Sequence, residues 1–258
     1  MAIKIYILES LLPNIVQDPQ TGRELFEDIL PRYSAIYGQG SVTFEYFDIS
    51  SKQELLDILD SIHTEITDMD ECILHFEMHG TATGDTGLGV ALKNGDDADW
   101  SELETYLIRI NYKTQNNLHV IMAACYGAYI GTVINTFRNI APIRSFTGSS
   151  KQMNAKEIRV FNEEFYHTLI HKQDAFEAFK VMNDPVFYTK YIEALFDKYF
   201  ETVVIPRLVQ ANKTNTLDEW GLIYQHSYDI SFTKPFTVET IIKDVYDHFL
   251  RYMIKQNK

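Results

Sequence analysis

Cysteine is scarce in this chain of 258 residues, which has only Cys72 and Cys125. Two thiols cannot build a disulfide framework. Cys72 opens one expected strand and Cys125 closes a parallel one, about 20 Å away at ~3.3 Å per residue and out of reach of a bridge. Each thiol therefore needs its own explanation. Positive charge is also short, with 23 Lys and Arg against 36 Asp and Glu and a net charge of −13. Binding to nucleic acid relies on clustered cations that release counterions, so neither DNA nor RNA is an expected partner. No apolar run reaches the roughly 18 to 20 residues that cross a bilayer. The opening MAIKIYILES is an alternating strand pattern without the apolar core or cleavage site of a signal peptide. A soluble, cytoplasmic protein with no membrane partner is expected. The 12 Gly and 7 Pro are too few for a low-complexity chain, and neither a fixed repeat nor a Ser, Gly or Pro linker is present.

A hydrophobic content of 45% is enough for a real core. Residues 3–8 and 43–48 alternate as strands around a helical stretch from about Thr21 to Tyr37, and a second helix, about Lys52 to Ile66, leads into the apolar run Ile73–Met78. The segment TATGDTGLGVALKNGDD reads as a mobile loop and a short hairpin at Asn94-Gly95. A helix from Asp99 to Ile110, a strand from Leu118 to Ala124, a helix from Gly127 to about Arg138 and a strand at Ile143–Thr147 follow, then a helix carrying Ile158, Phe161, Phe165 and Leu169 on one face. This alternation predicts an α/β fold whose mostly parallel sheet is covered on both sides. Asn183-Asp184-Pro185 marks an expected seam between a domain of residues 1–184 and a mainly helical C-terminal extension, 185–258. Within that extension 219–233 reads as extended.

In an open parallel sheet, residues just past the carboxyl ends of adjacent strands converge on one crevice. His79 and Cys125 both occupy such positions, 46 residues apart. A cysteine at a helix start feels the positive end of the helix dipole, which favours the thiolate, and a neighbouring histidine can shuttle its proton. Gly80 leaves a substrate carbonyl unobstructed, so the amides of Gly80 and Cys125 are candidate oxyanion donors. Taken alone, Cys125 reads as a small buried hydrophobe, and the His79-Gly80 context with the strand order reverses that; Cys72 keeps the buried reading. His75, Glu77 and His79 form H-x-E-x-H, which lacks the helical spacing of a zinc site, so neither a metal nor another cofactor is expected. Glu77 either orients His79 or is a structural carboxylate. Gly84, Gly87 and Gly89 match no phosphate loop, which leaves a nucleotide-sensing domain without support. Asp85, Asp96, Asp97 and Asp99 either give the cleft an acidic wall favouring a basic residue before the cut bond or are ordinary surface. The aromatic tail, with Phe187, Tyr191, Trp220 and Tyr224 among others, reads as helix packing or as a surface for a ligand or partner.

The blocks ILHFEMHG and VIMAACYG, with Ala124-Cys125-Tyr126-Gly127 after His79-Gly80, resemble the caspase-like clan of cysteine peptidases, closest in pattern to bacterial CHAT-type proteases. GLGVALKNGDDADWSEL and FNEEFYHTLIHKQDAFEAF extend the resemblance over about 71–182. It implies a caspase-like three-layer sandwich and an endopeptidase acting on a protein substrate through a Cys125–His79 dyad. An activating ligand or partner protein, and a setting in antiviral defence, come with it. It also implies that Glu9 and Ser10 after the first strand, Tyr126, and Thr147, Gly148 and Ser149 after the fifth flank the substrate pocket. Ala123 departs from the glutamine of caspases proper, so their preference for aspartate is not carried over. The rival from another class is a non-catalytic caspase-like interaction or signalling module.

Overall fold

The computed structural model describes residues 2–12, 19–38, 40–84, 86–133, 141–181, 186–228 and 236–254. Asp85, the end of the expected helix toward Arg138 and the seam at 183–185 lie outside them. The chain forms two compact units, Met1–Val133 with Pro142–Lys190, and Ile134–Ala141 with Tyr191–Lys258.

The first unit is built on one sheet. Its strands are β1 (Ala2–Ser10), β2 (Val42–Asp48), β3 (Asp70–Thr83), β4 (Thr86–Ala91), β5 (Asp97–Asp99), β6 (Leu118–Ala123), β7 (Ser145–Gly148) and β8 (Tyr188–Tyr191). The order across the sheet is β2-β1-β3-β6-β7-β8, with β4 and β5 added on the far end of β3. The pairs β1·β2, β1·β3, β3·β6 and β6·β7 are all parallel. Residues 70–78 and all of β6 are buried, as expected of strands covered on both faces.

Helix α1 (Thr21–Glu24) runs through one π-turn (Leu25–Ile29) into α2 (Leu30–Tyr37), which packs on α5 (Ala155–Lys172), itself against α6 (Ala175–Val181). Helix α3 (Lys52–Glu65) packs on α4 (Trp100–Lys113). Their ends are set by side chains. Ser51 Oγ accepts from the Glu54 amide at 3.3 Å, and the Asp99 amide donates to Glu102 at 2.9 Å.

Three expectations change. The glycine-rich stretch after His79 is a hairpin, because β3 continues past His79 to pair antiparallel with β4. Its glycines serve close packing more than mobility. A Cβ on Gly89 would overlap the Ala98 carbonyl, and one on Gly87 would sit 2.7 Å from the Tyr126 carbonyl oxygen. After Cys125 the chain enters a 3₁₀ turn, Gly127–Val133, in place of an α-helix. In the second unit 217–228 is helical, not extended.

That second unit is helical: α7 (Ile192–Tyr199), a π-turn (Phe200–Val204), α8 (Ile205–Lys213), α9 (Leu217–Tyr228) and α10 (Val238–Ile254). Ile192, Phe196, Val204, Leu208, Ile241 and Val245 lie in one buried core, so much of the aromatic and aliphatic pattern of the tail is helix packing. Among the described residues no helix is long and apolar enough to cross a membrane.

Candidate active site

The β3·β6 register pairs Glu77 with Ala123, and continuing it brings Cys125 level with His79 at the carboxyl ends of adjacent strands. His79 is exposed and Cys125 half-buried. Both line one cavity of about 240 Å³, whose wall also includes Leu11, Glu77, Met153 and Ile158. The approach of the two strands depends on Gly80. A Cβ there would collide with the carbonyl oxygen of Cys125, so no larger residue fits without moving the backbone that carries the thiol.

A sharp turn holds Cys125. Tyr126 has φ +59°, an uncommon left-handed conformation for a residue with a side chain, and such strain clusters at functional positions. Backbone bonds lock the turn: the Tyr126 amide donates to Lys151 O at 3.0 Å, the Gly127 amide to Ala124 O and the Ala128 amide to Ser149 O. The Met153 amide lies 3.3 Å from Cys125 Sγ, positioned to donate to the sulfur, and the Met153 carbonyl lies 3.7 Å away as an acceptor for the thiol. Met153 is held in turn by the start of α5. Asn154 Oδ1 accepts from the amides of Lys156 and Glu157 at 3.1 Å, and Glu157 returns the bond to the Asn154 amide at 2.8 Å. The segment 153–158 was not read from the sequence as part of the site. Its only signal was the capping pattern Asn154-x-x-Glu157 in front of an amphipathic helix.

Behind the exposed pair lies a buried polar cluster. Glu77 Oε1 accepts from His75 Nε2 at 2.9 Å and from Asn162 Nδ2 at 3.0 Å, and Oε2 accepts from Thr21 Oγ1 at 2.7 Å. His75 Nδ1 lies 2.7 Å from the Tyr166 hydroxyl. Burial, with the charge of Glu77 adding to it, holds the Tyr166 pKa well above the ordinary phenol value, so that hydroxyl keeps its proton. Glu9 is level with Glu77 across β1·β3. Burial raises the Glu9 pKa, and the charge of Glu77 raises it further. Cys72 is fully buried with its pKa raised strongly by desolvation, as fits an inert core thiol.

No protein-family profile and no curated protein matches the chain in sequence. Among solved structures it is similar to the Drosophila initiator caspase Dronc, with a TM-score of 0.53 and 8% identity over 74% of this chain and 79% of that one. The fold is caspase-like. Protein GSU0716 from Geobacter sulfurreducens covers 74% of this chain and 92% of its own, with a TM-score of 0.43 and 12% identity. At 8% identity the likeness to Dronc gives the fold of the matched part and leaves its chemistry to the residues.

Within the caspase-like sheet the other expected substrate residues lie mostly below the surface. Glu9 is buried, its Oε1 accepting from the Gly22 amide at 2.8 Å and its Oε2 from the Tyr46 hydroxyl at 2.6 Å. Ser10 donates to Ile49 O at 2.8 Å and accepts from the Lys93 amide at 3.0 Å. Thr147 Oγ1 pairs with Thr189 Oγ1 at 2.7 Å, Ser149 Oγ accepts from the Lys151 amide at 3.0 Å, and Gly148 packs against the 127–128 backbone. None of the six is among the described residues that line the cavity, and Tyr126 alone of them is partly exposed. Among the described residues, Asp96, Asp97 and Asp99 do not line the cavity, and the carboxylate residue that does is Glu77. Among the described residues no three His, Cys, Asp or Glu side chains gather as a metal site.

Proposed function

We propose that this chain is a cysteine endopeptidase of caspase-like fold, with Cys125 as nucleophile and His79 as general base. The observation that carries the reading is that His79 and Cys125, from different strands, wall the same cavity beside a glycine whose contact with Cys125 admits no side chain. In this reading His79 takes the proton of Cys125 Sγ, and the thiolate attacks the carbonyl carbon of the peptide bond. The amides of Gly80 and Cys125 hold the resulting oxyanion. The protonated His79 then gives its proton to the leaving amine as the C–N bond breaks. Water, deprotonated by His79, cleaves the thioester and restores the thiol. The Met153 amide supplies a hydrogen bond that helps hold the sulfur in place.

The substrate is a protein and the setting cytoplasmic. An activating ligand or partner protein and a role in antiviral defence belong to the same proposal and rest on the resemblance.

The test is labelling of the purified full chain by a peptidyl acyloxymethyl ketone near neutral pH, with and without cell extract, mapped by mass spectrometry. A single adduct on Cys125 is expected, absent in Cys125→Ala, strongly reduced in His79→Ala and retained in Cys72→Ala. Labelling indifferent to His79 would replace the enzyme with an interaction module that holds a partner across the same crevice.

A further inference from the structure

We propose that the cavity beside Cys125 selects a medium-sized aliphatic side chain, leucine or methionine, at the residue preceding the cut bond, with Ile158 of α5 as the wall that sets the preference. This rests on the peptidase reading and names its substrate class. The side chain nearest the attacked carbonyl carbon stands on the α-carbon bonded to it, so a cavity walled by both His79 and Cys125 lies within that side chain's reach. At about 240 Å³ the cavity falls below the roughly 300–1,000 Å³ of small-molecule sites and suits a single residue. Beside Cys125, His79 and Asn154, its accessible lining among the described residues is apolar: Pro19 is exposed, and Met153, Ala155 and Ile158 are half-buried. This wall starts next to the nucleophile, because the Met153 amide lies 3.3 Å from Cys125 Sγ. Ala155 and Ile158, three residues apart, share the helix face that continues it. Leu11, Met78 and Ala123 are at most 7% exposed, so they bound the space and a substrate need not pass them.

A charged tip entering this space meets no counterpart. Glu77, the carboxylate residue in the lining, is 0% exposed, and its bonds to His75, Asn162 and Thr21 commit it to the interior. Asn154 spends its side-chain oxygen on the amides of Lys156 and Glu157 at the start of α5. Among the described residues no Lys, Arg or Asp lines the cavity. A lysine ammonium or an aspartate carboxylate would therefore leave water for methyl and methylene walls without a partner, at a cost that its binding does not return. An aliphatic side chain has the opposite balance. It removes from water its own surface together with that of Met153, Ala155 and Ile158. Alanine leaves most of the space unfilled and forgoes those contacts. Leucine fills it compactly, and methionine, unbranched and adaptable, follows an irregular wall equally well.

The experiment labels the full chain with acyloxymethyl ketones that differ only at P1 (leucyl, norleucyl, alanyl, lysyl or aspartyl), with the remaining positions randomised, and measures the rate of Cys125 modification. Norleucyl is the linear stand-in for methionine and the uncharged counterpart of lysyl. Leucyl and norleucyl are expected to react about tenfold or more faster than alanyl. Lysyl and aspartyl should fall below norleucyl by about tenfold or more. Ile158→Ala opens the wall and should lower the leucyl-to-alanyl ratio about threefold. Ile158→Asp places a carboxylate on the accessible wall, near the start of α5 where the helix dipole favours it, and should raise the lysyl-to-norleucyl ratio about tenfold. Alanyl, lysyl or aspartyl reacting as fast as leucyl, with labelling still dependent on His79, would overturn this proposal and leave the peptidase standing. Should Ile158→Asp fail to fold, the wild-type series and Ile158→Ala decide. An aliphatic preference unmoved by every folded variant would place the determinant elsewhere and overturn the role of Ile158. Absence of His79-dependent labelling with every probe would overturn the peptidase reading and this proposal together.

Discussion

The two ends of the sheet each bring a histidine beside a group able to act as a nucleophile, and they differ in what surrounds the pair. At the amino end, His119 Nδ1 lies 2.6 Å from Ser145 Oγ, and its Nε2 lies 3.1 Å from Glu71 Oε1. With the two ring nitrogens exchanged, that is the connectivity of a serine-protease triad. Yet Ser145 and His119 are each 1% exposed and Glu71 is 7% exposed, so no substrate can approach. At the carboxyl end, His79 and Cys125 are solvent-accessible and share a cavity. Connected hydrogen bonds alone do not make a site; room for a substrate beside the nucleophile does. The amino-end set is better read as a strut that satisfies three buried polar groups and ties β3, β6 and β7 together.

The largest expected effect tests this contrast directly. His79→Ala should slow modification of Cys125 by a peptidyl electrophile about 10²–10⁴-fold, the usual worth of a general base. Ser145→Ala should leave that rate within about twofold while lowering stability by about 1–3 kcal/mol in urea unfolding, because His119 loses a buried partner. Loss of reactivity in Ser145→Ala without loss of stability would mean that the amino end takes part in the chemistry.

Next in size is Gly80→Ala. The added methyl collides with the Cys125 carbonyl, a backbone atom that can move only with the turn around it. A shift of about 1 Å at the nucleophile is expected to cost about 10²-fold in reactivity, with about 1–3 kcal/mol of stability lost to overpacking. Reactivity equal to wild type would show that the Gly80–Cys125 contact is incidental to the site.

The same contrast shows what periodicity can reveal. Strand ends are visible in sequence, because apolar runs stop where side chains leave the core. That is why His79-Gly80 and Cys125 could be placed at the edge. Burial of a polar residue is invisible there, since it depends on which distant segment covers it. Glu9 and Ser10 end a strand and His79 ends the buried run of β3, but α1 caps Glu9 through the Gly22 amide, and Ser10 is held between Ile49 and Lys93. Thr147 is likewise covered by Thr189, 42 residues further on. The hairpin after His79 was hidden for a related reason. Glycine has little strand propensity of its own, and Gly87 and Gly89 become strand residues by lying close against Tyr126 and Ala98. Glu77 has two open readings from sequence, and its buried bonds to His75, Thr21 and Asn162 are those of a structural carboxylate.

The smallest expected effect concerns charge at the carboxyl end, where Glu9 and Glu77 lie level in adjacent strands. Burial raises the Glu9 pKa above its ordinary 4.5, and the charge of Glu77 adds to the shift, against the hydrogen bonds from Tyr46 and Gly22 that lower it. As pH rises from about 4.5, the unfolded chain therefore releases this proton before the folded one does. Within that window the folded state binds more protons, so stability falls as pH rises and levels off once folded Glu9 is ionised. Glu9→Gln removes this loss. Its Oε1 can still accept from the Gly22 amide, and its Nε2 can donate to the Tyr46 oxygen. Relative to wild type, the variant should gain unfolding midpoint in urea as pH rises above about 4.5, with the gap constant above the folded pKa. A gap that does not change with pH would show Glu9 ionising alike in both states. A gap that moves against the variant would show that the hydrogen bonds to the carboxylate from Tyr46 and Gly22 outweigh its burial.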